Sequence, residues 1–189
     1  MTDSRRHRIL VGMCSAISVA VMPGVLLSIR SILPNVTITV VMTDSAAAMV
    51  APETITSYTG AETHAGWASL RRSGRSHVDL MSEQAVLLIC PATANMIGKA
   101  AHGIADDLLS TCILAAACPK IFAPTMSAVM WRSAPVRRNV DILRADGAEV
   151  LDPVEGPATS GQGVELGSIP PVREVSIALL RALQMDNAQ

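Results

Sequence analysis

Aromatic side chains are almost absent: among 189 residues only Tyr58, Trp67, Phe122 and Trp131 carry a large ring. The core must therefore be aliphatic, and the stacking platforms that single-stranded nucleic acids need are missing. Charge is also sparse. Asp, Glu, Lys and Arg make up 16% of the chain and the net charge is −1. This leaves no basic stripe for nucleic acid and no acidic tail. The four cysteines, Cys14, Cys90, Cys112 and Cys118, show no CxxC spacing and stand in apolar contexts. Free cysteine there behaves as a small hydrophobe, which implies a reducing, cytoplasmic compartment. The four histidines do not cluster at ligand spacing, so no metal site is expected. A GxGxxG dinucleotide motif is missing too.

What the chain has in quantity is aliphatic residues. Half of it is hydrophobic and the mean hydropathy is +0.39. That exceeds the needs of a soluble monomer, and the surplus implies subunit interfaces. The length suits one domain over residues 1–189, with 1–7 expected to be disordered. "RRHR" followed by the uncharged run Ile9–Ile29 resembles a signal peptide or membrane helix. However, Gly12, Ser15, Ser18, Pro23 and Gly24 interrupt the run, and a second strand-like run follows directly. A strand, a turn and a helix explain the pattern without a membrane.

Apolar runs rich in β-branched residues predict buried strands at Arg8–Met13, Val36–Met42, Ala85–Cys90, Lys120–Pro124 and Ala148–Leu151. Between them, helical patterns cover Ser18–Leu33, Ser45–Val50, Pro52–Thr59, Thr93–Ala101, Asp106–Ala117, Ser127–Ser133 and Pro135–Asp146. Val172–Met185 closes the chain as an amphipathic helix, Glu62–Ser76 reads as a loop or exposed helix, and Asp152–Pro171 as a Gly/Pro-rich loop. Alternating strands and helices predict a three-layer α/β fold, Rossmann-like or flavodoxin-like, with a parallel sheet covered by helices on both faces. Ligands of such sheets sit beyond the carboxyl ends of the strands.

Three polar turns fall at strand ends: "VGMCSAIS" (Val11–Ser18), "MTDSA" (Met42–Ala46) and "PATAN" (Pro91–Asn95). Their hydroxyls and amides can meet a phosphate or the edge of a heterocycle, and Asn95 places a donor beside an acceptor. The alternative is structural, with Thr93 as an N-cap and Asn95 solvated. Asp106 and Asp107 read as caps of the following helix, or one of them as a tether for a loop or ligand. His77 precedes a strand in a polar segment. Met126, Met130 and Trp131 cluster after the fourth strand, where packing is the default role.

Together these segments resemble one family. "PATANMIGKAAHGIADDLLST" (Pro91–Thr111) and "PTMSAVMW" (Pro124–Trp131) are similar to the two signatures of the homo-oligomeric flavin-containing cysteine decarboxylases. "ILVGMCSAIS" and "VVMTDSA" match that family's first two strand–turn units, so the likeness runs from Arg8 to about Gly163. The resemblance implies FMN, with FAD as the alternative, bound between subunits of a trimer that assembles further into a dodecamer. It implies His77 as catalytic base and Ser15, Ser18, Thr43, Ser45, Pro91, Ala92, Thr93, Ala94, Asn95 and Met130 around the flavin. Met126, Ser127 and Ser160 fall at the substrate. Ser127 departs from the family's usual asparagine and lacks its NH₂ donor. In "GPATSGQGVELGS" (Gly156–Ser168) Ser160 stands where the phosphopantothenoylcysteine branch carries a reducing cysteine. That departure implies the peptide branch, which oxidatively decarboxylates the C-terminal cysteine of a precursor peptide in lantibiotic-type biosynthesis. Residues 152–171 would then form a flexible clamp on the peptide. The alternatives are a phosphopantothenoylcysteine decarboxylase and a non-catalytic flavin-binding regulator.

Overall fold

A computed structural model of the chain describes residues 7–157 and 163–186. The strands form where β-branched and aliphatic residues run together: β1 (His7–Met13), β2 (Val36–Met42), β4 (Val86–Ala92) and β5 (Lys120–Pro124). Two short strands extend the sheet, β3 (Glu62–Ala65) and β6 (Glu149–Val150). All pairings are parallel and the order is β3-β2-β1-β4-β5-β6. The sheet therefore turns back on itself between β1 and β4, and a crevice opens there at the carboxyl edge.

Each face of the sheet is sealed by its own apolar layer. On one, Ile9, Val11, Val40 and Leu88 meet Leu26 and Ile29 of α1 (Met22–Ile32) and Val175 and Leu179 of α10 (Val172–Asp186). On the other, Leu10, Leu87, Ile89 and Phe122 meet α6 (Ala94–Ala101), α7 (Leu108–Ala115) and α9 (Ala134–Ala145) through Ile97, Leu109 and Val140. Gly12 lets α7 approach β1: a Cβ there would lie 2.4 Å from a methyl of Leu109. Short helices α2 (Asp44–Ala47) and α3 (Pro52–Thr59) follow β2, α4 (Gly66–Arg72) and α5 (His77–Ser82) follow β3, and α8 (Ala128–Arg132) follows β5.

The three-layer parallel fold expected from the alternation is present, with five local differences. The helix expected over Ser18–Leu33 is a 3-10 turn (Ile17–Val21) followed by α1, because Pro23 occupies the first turn of α1 and cannot continue a helix from further back. The Glu62–Ser76 segment, expected as a loop or exposed helix, holds the helix α4 and, before it, the strand β3. The predicted start of α7 at Asp106 moves to Leu108, since Asp107 is its N-cap and bonds reciprocally with Ser110. The Asp152–Pro171 loop contains an antiparallel hairpin, β7 (Val154–Pro157) with β8 (Val164–Ser168). β1 begins at His7, inside the stretch expected to be disordered. Among the described residues no helix is long and apolar enough to cross a membrane.

Candidate active site

Backbone hydrogen bonds tie the turns at the strand ends into one surface. Thr43 N donates to Met13 O at 3.1 Å, Cys14 N to Pro91 O at 3.2 Å, and Thr125 N to Ala92 O at 2.9 Å. Beyond β1, β4 and β5 this surface encloses a cavity of about 500 Å³, a size typical of cofactor sites. Ser15, Ile17, Ser18 and Val21 line it after β1, Thr93 and Ala94 after β4, and Thr125, Met126, Ser127 and Met130 after β5. The hairpin supplies the remaining wall, from Glu165 to Ile169.

A backbone hydrogen bond anchors that wall. Met126 N donates to Gly167 O at 3.1 Å. Gly167 has φ +138°, and a Cβ on it would lie 1.9 Å from Met126 O. Only glycine allows the two backbones to meet so closely.

The hydroxyls on the wall divide into two kinds. Thr93 Oγ1 accepts from Met96 N at 3.3 Å and caps α6, and Ser127 Oγ accepts from Met130 N at 3.4 Å and caps α8. Ser18 Oγ and Thr125 Oγ1 are buried and lack any hydrogen-bond partner among the described residues. A buried hydroxyl left unpaired costs about 1–3 kcal/mol. Both line the cavity, which fits a ligand with polar edges that would pair with them. Thr93 and Ala94 open the first turn of α6, whose free amides suit an electronegative group.

Of the residues expected at the site, the cavity brings together Ser15, Ser18, Thr93, Ala94, Met126, Ser127 and Met130. Pro91 and Ala92 are buried in the end of β4, and Asn95 is exposed beside the wall rather than on it. Thr43 caps α2, accepting from Ala46 N at 3.2 Å, and Ser45 is exposed. Ser160 lies outside the described residues. His77 is half-buried and does not line the cavity of its own chain. It opens α5, where Ser76 and Asp79 form a capping box, and its ring meets Trp67 edge-on at 5.7 Å between centroids.

Sequence reasoning did not single out Ile17, Val21 or Thr125 as wall, and it placed the β8 residues only within the 152–171 clamp. Thr125 had a signal, being a polar residue at the end of an apolar strand.

Two neighbouring groups are structural. Lys99 pairs with Asp106 at 2.6 Å and Asp107 at 2.9 Å, pinning α6 to the start of α7. Bonds from Asp106 first and Asp107 second raise the lysine's pKa. Asp107 is thus the cap and Asp106 the tether. Burial pushes the Cys14 and Cys90 thiols up to about 12, which keeps them protonated and chemically quiet.

A parallel sheet in this order, with a hydroxyl-lined cavity where it turns back, defines a nucleotide-cofactor-binding α/β protein. Comparison with known proteins narrows the class. The flavoprotein family profile matches residues 1–183, and the chain belongs to that family. Mersacidin decarboxylase of Bacillus sp. (strain HIL-Y85/54728) is 34% identical over 150 residues, 78% of this chain and 74% of that protein. The coenzyme A biosynthesis bifunctional protein CoaBC of Bacillus subtilis is 34% identical over 145 residues, 76% of this chain but 36% of that longer protein. The solved structure of the FMN-dependent cysteine decarboxylase SpaF superposes with a TM-score of 0.81 at 38% identity, covering 95% of this chain and 98% of that one. The family and fold implied by the signature segments are both borne out.

Proposed function

We propose that this chain is an FMN-dependent decarboxylase of cysteine carboxylates, and that its substrate is the C-terminal cysteine of a peptide. The observation that carries the reading is the cavity at the switch point with two partnerless buried hydroxyls, in a chain of the flavoprotein family. The similarity to SpaF and to mersacidin decarboxylase supports the reaction and the cofactor. A bound flavin supplies a two-electron acceptor, which no amino-acid side chain offers.

The net conversion removes CO₂ and two hydrogens from the cysteine and leaves an enethiol. Ser18, Thr125 and the first amides of α6 would hold the cofactor's polar edges. Ile17, Val21, Met126 and Met130 give the reacting thiol an apolar surrounding. His77 takes the role of base. Because it is outside the cavity of its own chain, a second copy brings it there. The apolar surface near the mouth supports such a contact: Ile17, Val21 and Val164 are exposed, and Val129 is 83% exposed.

The segment 152–171 contains no cysteine that could return electrons to the product, which supports the peptide over the phosphopantothenoyl substrate. Similarity to CoaBC supports the second reading, decarboxylation of phosphopantothenoylcysteine. Mass spectrometry of both substrates after incubation with the purified protein separates them. The expected result is a peptide lighter by CO₂ and two hydrogens. Loss of CO₂ alone from phosphopantothenoylcysteine, with the peptide untouched, overturns the peptide reading.

A further inference from the structure

Among the described residues Glu165 is the one charged residue that lines the cavity. It stands on β8 opposite Gly156, which has no side chain to cover it. Two residues further on, β8 is anchored through Gly167 to Met126, so the carboxylate belongs to a docked wall and not to a free loop. Among the described residues no Lys, Arg or His lines the cavity, and the Glu165 carboxylate forms no ion pair or hydrogen bond. A carboxylate at the wall of a cavity that carries no cationic side chain can receive a cation supplied from outside the chain. The phosphate of a flavin nucleotide carries the wrong sign for that role.

We infer that Glu165 selects the substrate by charge, accepting a cationic nitrogen close to the reacting cysteine and disfavouring anionic substrates. This rests on the peptidyl-cysteine reading of the cavity. The nitrogen can be a Lys or Arg side chain preceding the cysteine, or the α-ammonium of a very short peptide. Because Glu165 is only partly buried, the preference is modest, about five-fold in affinity.

Calorimetric titration of the flavin-loaded full chain tests this with N-acetylated peptides that end in Lys-Cys, Gln-Cys or Glu-Cys and are otherwise identical. The Lys-Cys peptide should bind about five-fold tighter than Gln-Cys, and Glu-Cys weakest, with the gaps closing in high salt. Glu165→Gln should abolish the order and Glu165→Lys reverse it, both with full flavin content. If instead only unacetylated short peptides bind tighter than their acetylated forms, and Glu165→Gln removes that gain, the α-ammonium is the cation and the inference stands. Equal binding of every peptide to the unaltered protein overturns it, as does an order that survives Glu165→Gln. Loss of flavin from Glu165→Gln also overturns it, because the carboxylate would then serve the cofactor. Should peptides bind in the expected order yet none be decarboxylated, charge selection stands and the reaction reading falls.

Discussion

Thr125 and Ser18 each bury an oxygen that the fold leaves without a partner. Replacing Thr125 by valine keeps the shape and deletes the unpaired group. Thr125→Val should therefore stabilise the ligand-free protein by about 1 kcal/mol and weaken flavin binding about ten-fold. Thermal melts with and without flavin check both signs. His77→Asn should keep the flavin and lose at least about 100-fold in turnover, the usual contribution of a positioned base; steady-state rates on a cysteine-terminated peptide decide it. Cys14, Cys90 and Cys112 are buried, and burial pushes all three thiols up to about 12. Alkylation of the native protein near neutral pH should spare all three, as peptide mapping will read. At this scale the sequence disclosed hydroxyls adjoining strong strands, such as Ser18 and Thr93, because the strand end fixes where the next residues must be. Glu165 was hidden. Its strand is short and interrupted by Gly167, so nothing local marked it as a wall residue.

The hairpin β7–β8 is the element on which the cavity most depends, and Gly167 is its fastener. Gly167→Ala would set a Cβ against Met126 O and strain a positive φ, at a cost of about 1–3 kcal/mol. Because the sheet does not rest on this contact, the loss should stay local. Hydrogen exchange over residues 154–157 and 163–168 should rise, and KM for peptide should increase more than kcat falls. Elements were legible where a run was long and apolar, as in β1, β2, β4 and β5. They were not where packing decides a marginal segment. "ETHA" is a strand because Thr39–Met42 of β2 offers it a free edge, and "VELGS" is one because β7 and Met126 receive it. The late start of α1 was written in Pro23, which suits a helix's first turn and has no N–H to bond to a carbonyl behind it.

For the whole molecule, the buried thiols make stability depend on alkaline pH. Their ordinary value is 9.0 and the folded value about 12. Folding keeps the protons that the unfolded chain gives up above pH 9, so the unfolded state binds fewer protons there. Their contribution is complete below pH 9 and is lost as the pH climbs towards 12. Urea midpoints should fall between pH 8.5 and 10.5, and Cys112→Ala should flatten part of that slope. The strand order also explains why a cavity exists at all: chains leaving β1 and β4 diverge to opposite sides, and nothing crosses between them. The alternation of elements announced a parallel sheet but not this order, which depends on which crossover goes left and which right. The cavity's walls come from near the beginning, the middle and near the end of the chain. A growing polypeptide still attached to the ribosome could complete every strand of the sheet before its last wall had emerged. Cofactor capture should therefore be a late event of biosynthesis, and chains released early should come off colourless.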